Sequence, residues 1–126
     1  MSNMKRVLVA DDDGMIRRLV QRVLQREGFE VETARDGVEA ISKLENGAFD
    51  GLVVDLMMPS ISGFKLLEIL KKDPSISPHW KIVMTAATDQ ALEPLDRSSI
   101  DGLVSKPFDI NDLRDKVLAC ANRGNA

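Results

Sequence analysis

Five times along this chain a short apolar run is followed by a segment whose apolar residues recur at helical spacing. "KRVLVA" (5–10) precedes Met15, Ile16, Leu19, Val20, Val23 and Leu24, a series that Gly28 ends. "FEVETA" (29–34) alternates with period two, and Val38, Ile41 and Leu44 follow it before Asn46-Gly47. "FDGLVVD" (49–55) leads to Ser62, a helix cap, and then to an inward stripe of Phe64, Leu67 and Leu70. "WKIVMTA" (80–86) and "GLVS" (102–105) supply the last two runs. Ile110, Leu113, Val117 and Leu118 mark a final helix capped by Asp109 and reaching about residue 122. Apolar runs of this kind suit strands covered on both faces, which is the situation of a parallel sheet. Repeated strand–helix units joined by right-handed crossovers predict an open, doubly wound α/β fold with five parallel strands and helices on both faces.

One unit is weaker than the rest. Between Thr88 and Asp101, Pro94 falls where a helix interior would lie if the helix began at Thr88, and an interior proline costs about 3 kcal/mol. The expectation is a fourth helix that is short or irregular, beginning around Pro94 or frayed.

In a parallel sheet all strands finish on the same edge, and ligand sites form there. Reading off the strand ends brings together Asp11-Asp12-Asp13, Asp55, Thr85 and Lys106-Pro107. A capped helix start explains Asp13, because aspartate is favoured at that position. It does not explain why a buried run should end in Asp11 and Asp12. Two carboxylates about 4 Å apart repel by roughly 4 kcal/mol at an effective dielectric near 20. Lys106 alone does not balance three of them. A hard divalent cation with oxygen ligands does, and Mg²⁺ commonly takes only one or two carboxylates and keeps water. Such a site beside a hydroxyl and an ammonium suits phosphoryl transfer, with Asp55 as the nucleophile and Lys106 and Thr85 each holding a phosphoryl oxygen.

Composition bounds the alternatives. A chain of 126 residues suits one core, and 44% apolar with 29% charged residues is ordinary for a globular protein. A net charge of −3 and the lack of zinc-ligand spacing argue against direct nucleic-acid binding. No apolar run approaches the about 20 residues of a membrane span, and no signal-peptide core is present, so a cytoplasmic location is expected. Cys120 sits on the apolar side of the last helix and reads as a buried structural thiol. His79, at the start of the fourth strand, reads as a surface residue far from Asp55, and Trp80 beside it as core packing.

"VLVADDD" (7–13), "VVDLMMP" (53–59), "MTAA" (84–87) and "SKPF" (105–108), in this order and on these strand ends, resemble the receiver domain of two-component response regulators, the family of the bacterial chemotaxis receiver. The resemblance covers essentially the whole chain. It implies a flavodoxin-like strand order 2-1-3-4-5 and one receiver domain over residues 1–126, with its core at about 5–122 and no output domain. Carried over residue by residue, it makes Asp55 the phosphoacceptor, Thr85 the switch hydroxyl and Lys106 the phosphate-pairing lysine. Asp12, Asp55 and the backbone carbonyl of Met57 would hold Mg²⁺, with Asp11 acting largely through water. A cis peptide at Lys106-Pro107 and a small residue at Ala86 also fit the family. The implied partners are a histidine kinase or histidine phosphotransfer protein upstream and a protein target or output domain downstream, with homodimerisation open. Helix one beside the acid edge is where such partners dock, which makes Ile16 and Arg17 candidates; the pair Arg17-Arg18 otherwise reads as a solvated face. The receiver would catalyse its own modification and act on no external substrate.

Two departures concern signalling. Leu103 stands where the family usually carries an aromatic residue, and the chain has no tyrosine. Pro94 falls in the helix that relatives use for output or pairing. Ser62 for a more usual aspartate is a mild exchange of caps. These features keep open a receiver-like docking module that takes no phosphoryl group. "VLVADDDGM" also resembles the first motif of haloacid-dehalogenase-like phosphatases, which would make Asp11 the nucleophile and Asp13 the general acid. In that reading Asp55 has no role, and Met15 replaces the expected threonine.

Overall fold

The computed structural model describes residues 5–123 and places the five strands within a residue or two of the apolar runs. They are β1 (Arg6–Ala10), β2 (Glu30–Ala34), β3 (Gly51–Asp55), β4 (Trp80–Thr85) and β5 (Gly102–Ser105). All pair in parallel, in the order β2-β1-β3-β4-β5. Four helices, α1 (Gly14–Arg26), α2 (Gly37–Asn46), α3 (Gly63–Lys72) and α4 (Ile110–Arg123), cover the sheet.

Alternate strand residues feed two cores. Leu8, Ala10, Leu52 and Val54 pack with Ala40 and Leu44 of α2 and with Leu66, Leu67 and Leu70 of α3. Val7, Val9, Val53, Ile82 and Met84 pack with Val20 and Leu24 of α1 and with Leu113, Val117 and Cys120 of α4. Every residue of β3 is buried, as expected of the central strand. Trp80 is buried too, and its ring occupies the space above Gly51, where a Cβ would stand 2.0 Å from Trp80 Cζ2. The Cys120 thiol is buried and burial pushes its pKa up, while His79 is largely exposed.

The apolar periodicity of the helices is wider than the face each one buries. Met15 and Leu19 of α1 and Val38 of α2 are exposed, and Ile16 and Val23 are half-buried. Each cap assigned from the sequence is present: Asp13 accepts from Met15 N and Ile16 N, Ser62 from Lys65 N, and Asp109 from Asn111 N.

The connection from β4 to β5 is irregular, as expected, and takes the frayed form and not the late helix. No α-helix begins at Pro94. Thr88 instead opens a single helical turn, with Ala91 N donating to its hydroxyl and Leu92 N to its carbonyl. Proline has no N–H with which to continue, so the turn ends at Pro94 and a 3-10 turn, Arg97–Ser99, follows. Leu92 and Leu95 are buried, and Lys71 of α3 pairs with Asp96 at 2.8 Å.

Candidate functional site

Register assembles the acids. Ala10 pairs with Val54, so Asp11 and Asp55 leave the sheet side by side on neighbouring strands. Thr85 pairs with Ser105, and Lys106 follows one residue later. Asp11, Asp55 and Thr85 are the buried polar residues at this edge, while Asp12 is exposed. The carboxylates of Asp11, Asp12 and Asp55 each offer an oxygen within 4.8 Å of the others.

Lys106 Nζ lies between the two buried acids, 2.8 Å from Asp11 Oδ2 and 3.1 Å from Asp55 Oδ2. Their second oxygens accept backbone N–H groups, Asp13 N at 2.9 Å for Asp11 and Met57 N at 3.1 Å for Asp55. Thr85 Oγ1 accepts from Ala87 N at 3.2 Å, and Lys106 N donates to the Thr85 carbonyl at 2.8 Å. The Lys106-Pro107 peptide is cis. Behind the site, the turn after β3 folds so closely onto α3 that a Cβ on Gly63 would stand 2.4 Å from the Asp55 carbonyl oxygen. Met57 is exposed, two residues beyond Asp55.

The electrostatics are unbalanced. Burial raises the Asp11 carboxyl above the usual range even though the Lys106 ammonium works to lower it. Burial alone would lower Lys106, but its bonds to Asp11 and Asp55 outweigh this and raise it. One ammonium therefore pairs with two of three clustered carboxylates, all of them hard oxygen donors. That donor set, with Asp12 open to water, fits a small divalent cation and does not fit a soft metal.

Asp13, the general acid of the phosphatase alternative, caps α1 through its Oδ1, as a helix start alone requires. Ile16 and Arg17, the docking candidates, are half-buried on α1. Ile16 packs against the core, and Arg17 Nη1 donates to the Asp11 carbonyl at 2.7 Å. Met15, Leu19, Arg18 and Arg22 line an open depression on the more exposed face of the helix. The contact from Arg17 to Asp11 was not legible in the sequence, because an arginine in the first turns of a helix has the same signature whether it faces water or folds back. Leu103 pairs with Val83 and packs, half-buried, against the α2–α3 core.

The profile of the response regulator receiver domain matches residues 7–118. The transcriptional regulatory protein TcrA of Mycobacterium tuberculosis is 30% identical over 94% of this chain and 47% of its own length. The response regulator MprA of a Mycobacterium species is 31% identical over 94% of this chain and 51% of its own. The chain thus spans about half the length of the curated relatives it matches. Among solved structures, a receiver domain protein from Methanospirillum hungatei superposes with a TM-score of 0.85 at 30% identity, covering 96% of both chains. The response regulator TrrA of Thermotoga maritima, solved in complex with Mg²⁺-BeF, gives 0.81 at 35% identity, covering 93% of this chain and 99% of its own. The chain belongs to the receiver domain family of two-component response regulators.

Proposed function

We propose that the chain accepts a phosphoryl group on Asp55 from a phosphohistidine of a histidine kinase or phosphotransfer protein. The observation that carries this reading is the unbalanced acid cluster: three carboxylates at one sheet edge, of which the two buried ones share a single lysine. An Asp55 carboxylate oxygen attacks phosphorus and the P–N bond breaks. The electron pair stays on the imidazole nitrogen, and an acyl phosphate forms. Mg²⁺, when bound by Asp12, Asp55 and the Met57 carbonyl with Asp11 acting through water, supplies positive charge against the phosphoryl oxygens. Lys106 exchanges part of its contact with Asp55 for a phosphoryl oxygen, and the Thr85 hydroxyl donates to another. Ala86 leaves the space beside Thr85 open.

Residues of about 5–122 work as one receiver unit in the cytoplasm. The unit modifies itself and turns over no external substrate. Its output goes to a protein partner, an output domain or a second copy, and not to nucleic acid directly. Leu103 favours a second reading, a docking module without phosphoryl chemistry, because no aromatic ring there reports the state of Thr85.

Intact mass after incubation with acetyl phosphate, with and without Mg²⁺, tests both readings on wild type and Asp55→Asn. One added phosphoryl group, dependent on Mg²⁺ and absent in the variant, is expected. Labelling that persists in Asp55→Asn moves the nucleophile elsewhere. A wild type that takes no label from acetyl phosphate or from a phosphorylated kinase supports the docking module.

A further inference from the structure

Helix α1 opens on an acidic cap, Asp13, which suits the partial positive charge of a helix N-terminus, but its first turn holds no further acidic residue. Arg17 and Arg18 both fold back toward that end: a Cβ on Gly14 would come within 3.5 Å of Arg17 Nη2 and 3.4 Å of Arg18 Nη1. Arg17 has a specific partner there. Its Nη1 donates to the Asp11 carbonyl at 2.7 Å and its side chain is half-buried. The strand ladder between β1 and β2 stops at Ala10 and Ala34, so this carbonyl lies just beyond the sheet.

The carbonyl belongs to the peptide unit that joins Asp11 to Asp12, and that unit is planar. One bond to its oxygen therefore sets the plane from which both carboxylates hang. Asp11 has further anchors in Lys106 and Asp13 N. Asp12 is exposed, and its place depends on its backbone.

We infer that Arg17 is a positioning residue for the acid cluster, fixing the Asp11–Asp12 peptide so that the Asp12 carboxylate is held ready for the cation. This rests on the reading of the cluster as a divalent-cation site. Charge and position predict opposite signs here. Removing a nearby positive charge strengthens cation binding, whereas loosening the peptide weakens it. Groups that orient a metal ligand change affinity by roughly 10- to 100-fold when removed.

The test is a titration of Mn²⁺ alone, followed by the electron paramagnetic resonance signal of the free ion, on the full chain with no phosphodonor. Arg17→Met is expected to lower Mn²⁺ affinity by about tenfold or more. Arg17→Lys, which keeps a donor, is expected to recover part of the loss. Arg17→Gln, too short to reach the carbonyl, carries the same expectation if the Met variant does not fold, and urea unfolding without metal identifies that case. Unchanged or tighter Mn²⁺ binding in Arg17→Met, or in Arg17→Gln where it replaces it, overturns the positioning role and leaves the site intact. A wild type with no Mn²⁺ binding beyond that of Asp12→Asn overturns the site itself, and the positioning role with it.

Discussion

The two edges of the sheet both gather charged residues, and they differ in how those charges are matched. At the amino edge Arg6 spans Glu30 and Glu32, donates to the Ala48 carbonyl and stacks over Phe49 at 4.5 Å. Its backbone N–H is taken by Asp50, and Lys43 adds a second cation near Glu32. There each carboxylate has a cation or a donor close by, and the network ties β1, β2 and the start of β3 together. At the carboxyl edge three carboxylates face one ammonium, two of them out of water. Matched charges at one end hold the fold, and the shortfall at the other is what a cation and a phosphoryl group would use.

Lys106→Met breaks this comparison most strongly. Loss of a charged donor to a transferring group costs roughly 100-fold in rate, so labelling by acetyl phosphate slows by about that factor. It also leaves two buried carboxylates unpaired, so the urea midpoint without divalent ions falls. Added Mg²⁺ then restores more stability to the variant than it adds to wild type. Equal gains in the two proteins are the result that contradicts an unbalanced edge.

Two glycines separate folding from chemistry. Gly51→Ala and Gly63→Ala each drive a Cβ into neighbouring atoms, the Trp80 ring in one case and the Asp55 and Leu56 backbone in the other. Each costs about 3 kcal/mol by urea denaturation, at the upper end of overpacking effects. Per folded molecule, only Gly63→Ala changes the labelling rate, because only that clash displaces Asp55.

Arg6→Met, at the matched edge, loses about 1–2 kcal/mol of stability, since its partners are partly exposed. Its rate of labelling stays at the wild-type value. A changed rate would tie the two edges together. The exposed pair of Lys71 and Asp96 gives the smallest effect. Its bonds to Lys71 and Ser98 hold the Asp96 carboxyl down at about 2, below the ordinary 3.8. A depressed carboxylate contributes stability that is present above its unfolded value and is lost as pH falls through the folded one. The slope of stability against pH between about 4 and 2 is therefore expected to be shallower in Asp96→Asn than in wild type.

The sequence made the acid edge legible because a covered parallel strand is apolar throughout, so a charge at its end stands out. Asp55 after "GLVV" and Asp11 after "VLVA" were visible for that reason. Lys106, just past the end of β5, meets the two buried acids, and Thr85 ends β4 at the same edge with its hydroxyl bound to Ala87 N. Less visible was how much of each helix the sheet covers. Periodicity groups Met15 and Leu19 with Val20 and Leu24, but packing buries only the second pair. Pro94 signalled disruption correctly and left open a late helix or a frayed one; the chain forms a single frayed turn from Thr88 that stops at the proline. The bond from Arg17 to a main-chain oxygen left no trace in composition or spacing.

Lys106 and Asp11 lie 95 residues apart along the chain. Their contact closes most of the polypeptide into a single loop, and entropy opposes closure until the intervening strands have paired. A ribosome that has released only β1 to β4 has therefore made all three carboxylates and not the ammonium between them. In that nascent chain the acids have their backbone N–H donors but no ammonium between them. The cluster acquires its cation only with the last strand, so competence at this edge reports that synthesis has passed β5.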